Sequence, residues 1–263
     1  MTPVKMSFSL LSILVVGILA KGISGGVLNT RIIGGENAKI AEFPHQVSLR
    51  YQNRHYCGGT IISTKHILTA AHCIIEFVQQ DYPLKDLTVI TGTNSLATGG
   101  DTYGIQNLTY HSSYDDSASS TWRHDIAIIR LSTELTVSSS QSIISLPTED
   151  APTDVDATVS GWGRVLYPSY SSPTSLQKAS VTLLNNTYCQ SFVNLAIYDS
   201  HLCGLQEYGI GVCSGDSGGP LIYNNTIVGI VSWGYGCAIG MPDGYTRVYS
   251  YLDYIKTTML ELA

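Results

Sequence analysis

Gly215-Asp216-Ser217-Gly218-Gly219-Pro220 is the stretch that decides how this chain reads, because two earlier runs complete its chemistry. Thr69-Ala70-Ala71-His72-Cys73 supplies an imidazole, and His124-Asp125-Ile126-Ala127 supplies a carboxylate at the mouth of an apolar run. A serine hydroxyl is a weak nucleophile at neutral pH. It becomes effective when an imidazole takes its proton and a buried carboxylate fixes the tautomer of that imidazole. The glycines around Ser217 fit the same purpose, since a turn that presents two backbone N–H donors to an oxyanion needs dihedrals that other residues avoid. The chain order is His, Asp, Ser. Hydrolases with a nucleophile elbow run Ser, Asp, His, and the subtilisin arrangement runs Asp, His, Ser.

Outward from that stretch, further motifs fall in order: Arg31-Ile32-Ile33-Gly34-Gly35, Cys57-Gly58-Gly59, Ser160-Gly161-Trp162-Gly163, Ser232-Trp233-Gly234 and Tyr245-Thr246-Arg247-Val248. With them the chain closely resembles a chymotrypsin-like serine protease from Arg31 to Val248, and is similar to arthropod chymotrypsins and collagenolytic crab proteases. The resemblance implies an all-β fold: two packed six-stranded antiparallel β-barrels, roughly residues 32–140 and 141–250 of a domain spanning 32–263, with a short C-terminal helix. It also implies a hydrolase in which His72 is the general base, Asp125 its orienter and Ser217 the nucleophile, with the amides of Gly215 and Ser217 as oxyanion donors. His124 is then a bystander, because only one imidazole can face Ser217 with a buried acid behind it.

The residues support that fold independently. Runs rich in Val, Ile, Thr and Tyr, such as Gln46–Tyr51, Leu87–Ile90 and Ile227–Val231, recur between glycine and serine clusters and read as strands. A helical period emerges only at Tyr251–Met259, where Leu252, Ile255 and Met259 share a face. Ser112–Thr121 and Tyr167–Ser175 read as mobile surface loops. The segment Thr93–Asp101 stands where the family carries a calcium loop but lacks the paired glutamates of a hard oxygen site, so no metal is expected, and no cofactor.

Lys5 followed by an apolar run from Phe8 to Ala20 reads as a secretory signal peptide, residues 1–22, too short for a membrane span. The reading is of a secreted, extracellular protein without a membrane anchor. A net charge of −6 with 13% charged residues and no basic tract excludes nucleic acid as a partner. Six cysteines in a secreted chain point to three disulfides, whose pairing the spacing leaves open. The resemblance implies Cys57 with Cys73, Cys189 with Cys203 and Cys213 with Cys237. Asn107, Asn185 and Asn224 each begin an Asn-x-Thr glycosylation pattern.

By the same resemblance, residues 23–31 form an activation propeptide. A trypsin-like protease cuts after Arg31, and the new Ile32 ammonium pairs with Asp216, making the uncut chain a zymogen. The expected partners are protein or peptide substrates, an activating protease and protein inhibitors of a monomer.

The specificity pocket departs from trypsins, which place an aspartate six residues before the nucleophile; this chain has Gly211, and Val212 stands where trypsins have serine. Ser232, Trp233 and Gly234 run along the pocket, and the opposite wall carries Asp243, where glycine is usual. Small residues at Gly211 and Gly234 favour a deep pocket for Phe, Tyr or Leu. The alternative is a trypsin-like enzyme that uses Asp243 to bind Arg or Lys. Gly244, where the family usually has valine, reads as added backbone freedom beside the wall. A non-catalytic binding relative is the further alternative, and the intact triad speaks against it.

Overall fold

β-Branched runs punctuated by glycine and serine favour strands joined by turns. In the computed structural model, which describes residues 32–164 and 172–262, they form two antiparallel sheets. The signal peptide, the propeptide with Arg31, and residues 165–171, which include the start of the loop Tyr167–Ser175, lie outside the described residues.

The first sheet runs in the order Asp101–Tyr103, Leu87–Thr91, Gln46–Tyr51, Arg54–Ile61, His66–Thr69, Ala127–Leu131 and Ile105–Tyr110. Its two end strands are the halves of one stretch of chain interrupted at Gly104, so the sheet curls back on itself. The second runs Glu36–Asn37, Gln177–Leu184, His201–Leu205, Asp243–Arg247, Thr226–Trp233, Pro220–Tyr223 and Asp156–Gly161. Here Gln177–Leu184 also pairs with Asp156–Gly161, which closes a six-stranded barrel and leaves Glu36–Asn37 as an addition on its outside.

Each barrel is filled from within by the inward residues of its strands. Val47, Leu49, Leu68, Val89 and Ile128 form the first core, and Val159, Val181, Leu202, Leu221 and Tyr245 the second. The C-terminal helix Leu252–Glu261 follows the second barrel in sequence but packs on the first, burying Ile255 beside Tyr251. Its buried stripe differs from the expected one. Ile255 and Met259 pack on the core as expected, but Leu252 does not, and Thr258 is covered in addition, so the helix meets the barrel along Tyr251, Ile255, Thr258 and Leu262 with Met259 beside them.

All three disulfides join the pairs that the resemblance implies: Cys57–Cys73, Cys189–Cys203 and Cys213–Cys237. Loops of this size contribute roughly 3 kcal/mol each on the chain-entropy account. Two of the three brace functional loops, one behind His72 and one behind the segment that carries Ser217.

Candidate active site

Strand pairing alone brings base and orienter together. His66–Thr69 pairs antiparallel with Ala127–Leu131, with Thr69 opposite Ala127, so the end of one strand and the start of the other lie side by side. His72 follows in the short 3-10 turn Ala71–Cys73, and Asp125 precedes Ala127 by two residues. Asp125 is wholly buried and accepts three hydrogen bonds: from His72 N to Oδ1 at 2.9 Å, from His72 Nδ1 to Oδ2 at 2.7 Å, and from Ser232 Oγ to Oδ2 at 2.6 Å. Its own carbonyl accepts from Thr246 Oγ1 at 2.6 Å. With Nδ1–H committed to the carboxylate, His72 keeps Nε2 free to accept a proton. Burial lowers the basicity of that imidazole, but the charge and hydrogen bond of Asp125 outweigh it and leave the His72 pKa above the ordinary histidine value.

Ser217 reaches the same place from the second barrel. Its carbonyl accepts from Gly58 N at 2.7 Å, and Gly218 N donates to Val231 O at 2.8 Å. Gly218 has a φ of +75°, and a side chain there would collide with Thr69 Oγ1 and approach the amide of Ala70. That glycine therefore lets the nucleophile loop lie directly against the strand that leads to His72. Gly215 has a φ of +103°, open to glycine alone at little cost. Among the described residues neither the Gly215 nor the Ser217 amide donates to a protein acceptor, which leaves both available to an oxyanion.

One residue holding this loop was not singled out in the sequence. His55 Nε2 bonds the carbonyl of Gly215 at 2.9 Å, its Nδ1 meets Ser48 Oγ at 2.9 Å, and Arg50 Nε donates to Ser48 Oγ at 3.3 Å. The proton inventory is consistent. Arg50 supplies a proton to the hydroxyl oxygen, the hydroxyl donates to Nδ1, and Nε2–H is left for Gly215. Burial pushes the His55 pKa down to about 4, so the ring stays neutral and keeps this arrangement over the working range. Spacing offered no signal for it, since His55 is 160 positions from Gly215.

Asp216 is completely buried, with its carboxylate against Gly161 and Gly163. It accepts from Gly163 N at 2.7 Å and Cys213 N at 3.0 Å, and side chains at Gly161 or Gly163 would strike its carboxylate. Burial nevertheless raises its pKa to about 6. Ile32 is also fully buried, within the second core, and Ile33 bridges to Gly211 through Gly211 N to Ile33 O at 3.1 Å.

Beside Ser217 lies a cavity of about 310 Å³ lined by Val212, Ser214, Val231, Ser232, Trp233 and Gly234, among others. Gly211 and Asp243 stand behind this surface. A Cβ on Gly211 would lie 2.9 Å from the backbone of Ala238, so the floor has no room for a side chain. Asp243 is 3% exposed and accepts one hydrogen bond, from Val212 N to Oδ2 at 3.3 Å, while Oδ1 faces Gly234, whose Cβ would approach it to 2.6 Å. Burial, with the charge of Asp216 adding to it, pushes the Asp243 pKa up to about 8. Gly244 has a different role from the one expected. Any side chain there would run into the indole of Trp233, so the glycine makes room for the ring that walls the pocket.

His124 lies outside the triad, as expected: it stacks on His111 with ring centroids 4.7 Å apart, and its Nδ1 bonds Tyr251 Oη at 3.0 Å. Ser232 joins two places, the cavity wall and the carboxylate of Asp125. Asn107, Asn185 and Asn224 are all exposed, Asn224 at the tip of a hairpin and Asn185 capping the helix Asn186–Gln190 by accepting from Tyr188 N at 2.8 Å. Among the described residues no helix is long and apolar enough to cross a membrane.

Comparison with known proteins converges on one family. The trypsin family profile matches residues 32–255. The chain is 37% identical to Hypodermin-A of Hypoderma lineatum over 89% of its own length and 88% of that protein. It is 36% identical to Chymotrypsin-2 of Vespa crabro over 87% and 100%, and 35% identical to Trypsin delta of Drosophila melanogaster over 90% of each. Among solved structures it is similar to neuropsin, a serine protease expressed in the limbic system of mouse brain, with a TM-score of 0.78 and 28% identity over 86% of this chain and 98% of that one.

Proposed function

The chain belongs to the trypsin family of serine proteases, and on that premise we propose that it is a secreted endopeptidase, made as a zymogen, that cuts after large apolar residues. A chymotrypsin and a trypsin lie at nearly equal identity, so the preference is read from the pocket itself. The observation that carries it is the placing of the pocket's carboxylate: Asp243 stands behind the wall, bonded to one amide and outside the cavity lining, which is Val212, Val231, Trp233 and glycines with Ser214 and Ser232. An apolar P1 side chain gains from such a lining. A cationic one must reach an acid that burial keeps largely protonated at neutral pH.

In the proposed reaction, Ser217 Oγ attacks the scissile carbonyl as His72 Nε2 takes its proton. The oxyanion is held by the Gly215 and Ser217 amides, and His72 returns the proton to the leaving amine. Asp125 and Ser232 keep the imidazole oriented throughout. Activation enters through Asp216. A carboxylate buried with only two amide donors is completed by an ammonium, and cleavage after Arg31 would supply one at Ile32, already in the adjacent core.

A second reading has its own support. Oδ1 of Asp243 faces Gly234 at the pocket wall, so a P1 Arg or Lys could be received there as in a trypsin. The test is cleavage of matched peptides ending in Phe, Leu, Ala and Arg by protein activated with trypsin and then freed of it. Faster cleavage after Phe and Leu is expected. Dominant cleavage after Arg at neutral pH would establish the trypsin-like reading instead.

A further inference from the structure

Strands Pro220–Tyr223 and Thr226–Trp233 are joined by two residues, Asn224 and Asn225, with φ of +47° and +56°. Two left-handed residues in succession make the turn that matches the twist of the flanking strands, and asparagine tolerates that conformation better than most residues. Tyr223 and Thr226 face each other across the ladder, so their side chains project from one face of the hairpin. The tip is also one of the acceptor patterns, Asn224-Asn225-Thr226. Two cavities meet there, of about 710 and 100 Å³, and Tyr223 and Asn224 belong to the lining of both. The larger one runs from the hairpin to Pro44 at the entrance of the first barrel, past Ser142, Ile143 and Ser145 of the segment between the barrels. Its walls are tied together, with Ile227 N donating to Ser145 O at 3.1 Å and Ser142 N to Pro44 O at 2.9 Å. Ile143 is nevertheless 46% exposed.

We infer that Asn224 carries an N-linked oligosaccharide whose first sugars lie on Tyr223 and in the larger groove, tying the hairpin of the second barrel to the first. The inference rests on the secreted reading above and not on catalysis. In the modification, Asn224 Nδ2 displaces a lipid diphosphate from the anomeric carbon of a lipid-linked oligosaccharide. The N–C bond forms, the C–O bond to phosphate breaks, and one amide proton passes to the base of the transferase. The three acceptor asparagines differ in what such a graft disturbs. Asn107 Oδ1 accepts from Leu108 N at 2.7 Å and Asn185 Oδ1 from Tyr188 N at 2.8 Å, whereas the Asn224 side chain makes no hydrogen bond among the described residues. It is therefore free to take the rotamer that lays the sugar on its neighbour. A pyranose offers a face of C–H groups and the Tyr223 ring an apolar face, so stacking removes both from water. The groove lies in the range of volumes in which proteins bury small molecules, and Ser142, Ser145 and Asn225 in its lining suit the hydroxyls of a sugar.

Contacts made by the sugar exist only in the folded protein, so a seated glycan raises stability and a merely tethered one does not. The test uses the full-length chain with Ser217→Ala, which cannot digest itself, secreted from insect cells behind its own leader and in parallel behind an insect-cell secretion leader. Mass spectrometry of its peptides should find an oligosaccharide on Asn224 that Asn224→Gln removes. Thermal midpoints are then compared before and after an amidase strips the glycan, with Thr109→Ala and Thr187→Ala leaving Asn224 as the sole acceptor, in wild-type and Tyr223→Ala backgrounds. Stripping is expected to lower the midpoint by about 2–4 °C with Tyr223 present and by less than about half of that without it. The aspartate that the amidase leaves at position 224 is common to both backgrounds and cancels. Secreted protein with no sugar on Asn224 behind either leader would overturn the inference, as would midpoint losses that are equal in the two backgrounds. Secretion by the second leader alone, with Asn224 occupied and the Tyr223-dependent loss observed, would remove the secreted reading and leave the sugar's seat standing. Should Tyr223→Ala fail to fold, Tyr223→Leu decides: a reduced midpoint loss supports the stacking, and an unchanged one overturns it.

Discussion

Asp125 and Asp243 are both buried aspartates beside the same catalytic centre, one 0% and the other 3% exposed, and their surroundings give them opposite chemistry. Asp125 receives two bonds from His72 and one from Ser232, all between 2.6 and 2.9 Å. Asp243 receives one, from an amide at 3.3 Å. A buried carboxylate remains charged only where enough donors replace the water it has lost. Asp125 is held against His72 as its orienting partner, whereas Asp243 sits with its pKa raised by burial and by Asp216. Residue type and burial are shared, so the number and geometry of donors decide the role.

The sharpest way to break this contrast is Asp125→Asn. The amide keeps the shape but offers His72 an N–H or a neutral oxygen in place of a carboxylate, and the imidazole then prefers the wrong tautomer. We expect kcat to fall by about 10⁴-fold with little change in KM, measured on a p-nitroanilide at neutral pH. A loss of tenfold or less would mean that the three-donor site does not orient the base.

A smaller effect is expected at His55, which joins the two barrels by holding the Gly215 carbonyl. His55→Ala releases the Gly215 carbonyl and so loosens the backbone of the residue whose N–H faces the oxyanion. Losing one such donor costs about 10²-fold in kcat, and a positioning role predicts a loss of roughly 10- to 100-fold that falls on kcat rather than KM. Because the neutral ring persists down to about pH 4, the acid limb of the wild-type profile should follow His72 alone. An inflection removed by His55→Ala, with kcat at the plateau unchanged, would reverse the assignment.

The two aspartates also mark how far the sequence could be read. His72, Asp125 and Ser217 stand in local runs whose chemistry is self-explanatory; antiparallel pairing of two strands delivers the first two, and Ser217 is brought to them by the packing of the second barrel on the first. The second barrel was equally plain from its β-branched runs. What escaped were contacts between residues far apart in the chain: His55 on Gly215, the hydroxyl of Ser232 on Asp125, and the indole of Trp233 occupying the place of a Gly244 side chain. None has a local signature, because each depends on how the two barrels or two strands are packed. Asp243 is the intermediate case. Its position beside the pocket followed from the chain order, but its single donor and its place behind Gly234 are tertiary facts.

That intermediate case supplies the finest test of the comparison. With its pKa pushed up to about 8, Asp243 is mostly neutral below that pH and ionised above it. A P1 Arg keeps its charge across the whole range, so its binding should improve as the wall becomes anionic, while a P1 Phe meets a more polar wall. The ratio of kcat/KM for Arg to that for Phe should therefore climb several-fold between about pH 6.5 and 9.5, centred near 8. Ionisations of His72 and of the Ile32 ammonium act on both substrates alike and cancel in the ratio. Asp216 and Tyr245 are the other titratable groups against Asp243. Tyr245 has its pKa raised by burial and stays neutral, and Asp216, raised to about 6, has already ionised over most of this window. Asp243→Asn should hold the ratio flat at its low-pH value. A wild-type ratio that does not move with pH, or one that moves equally in Asp243→Asn, would place the acid outside the reach of the substrate.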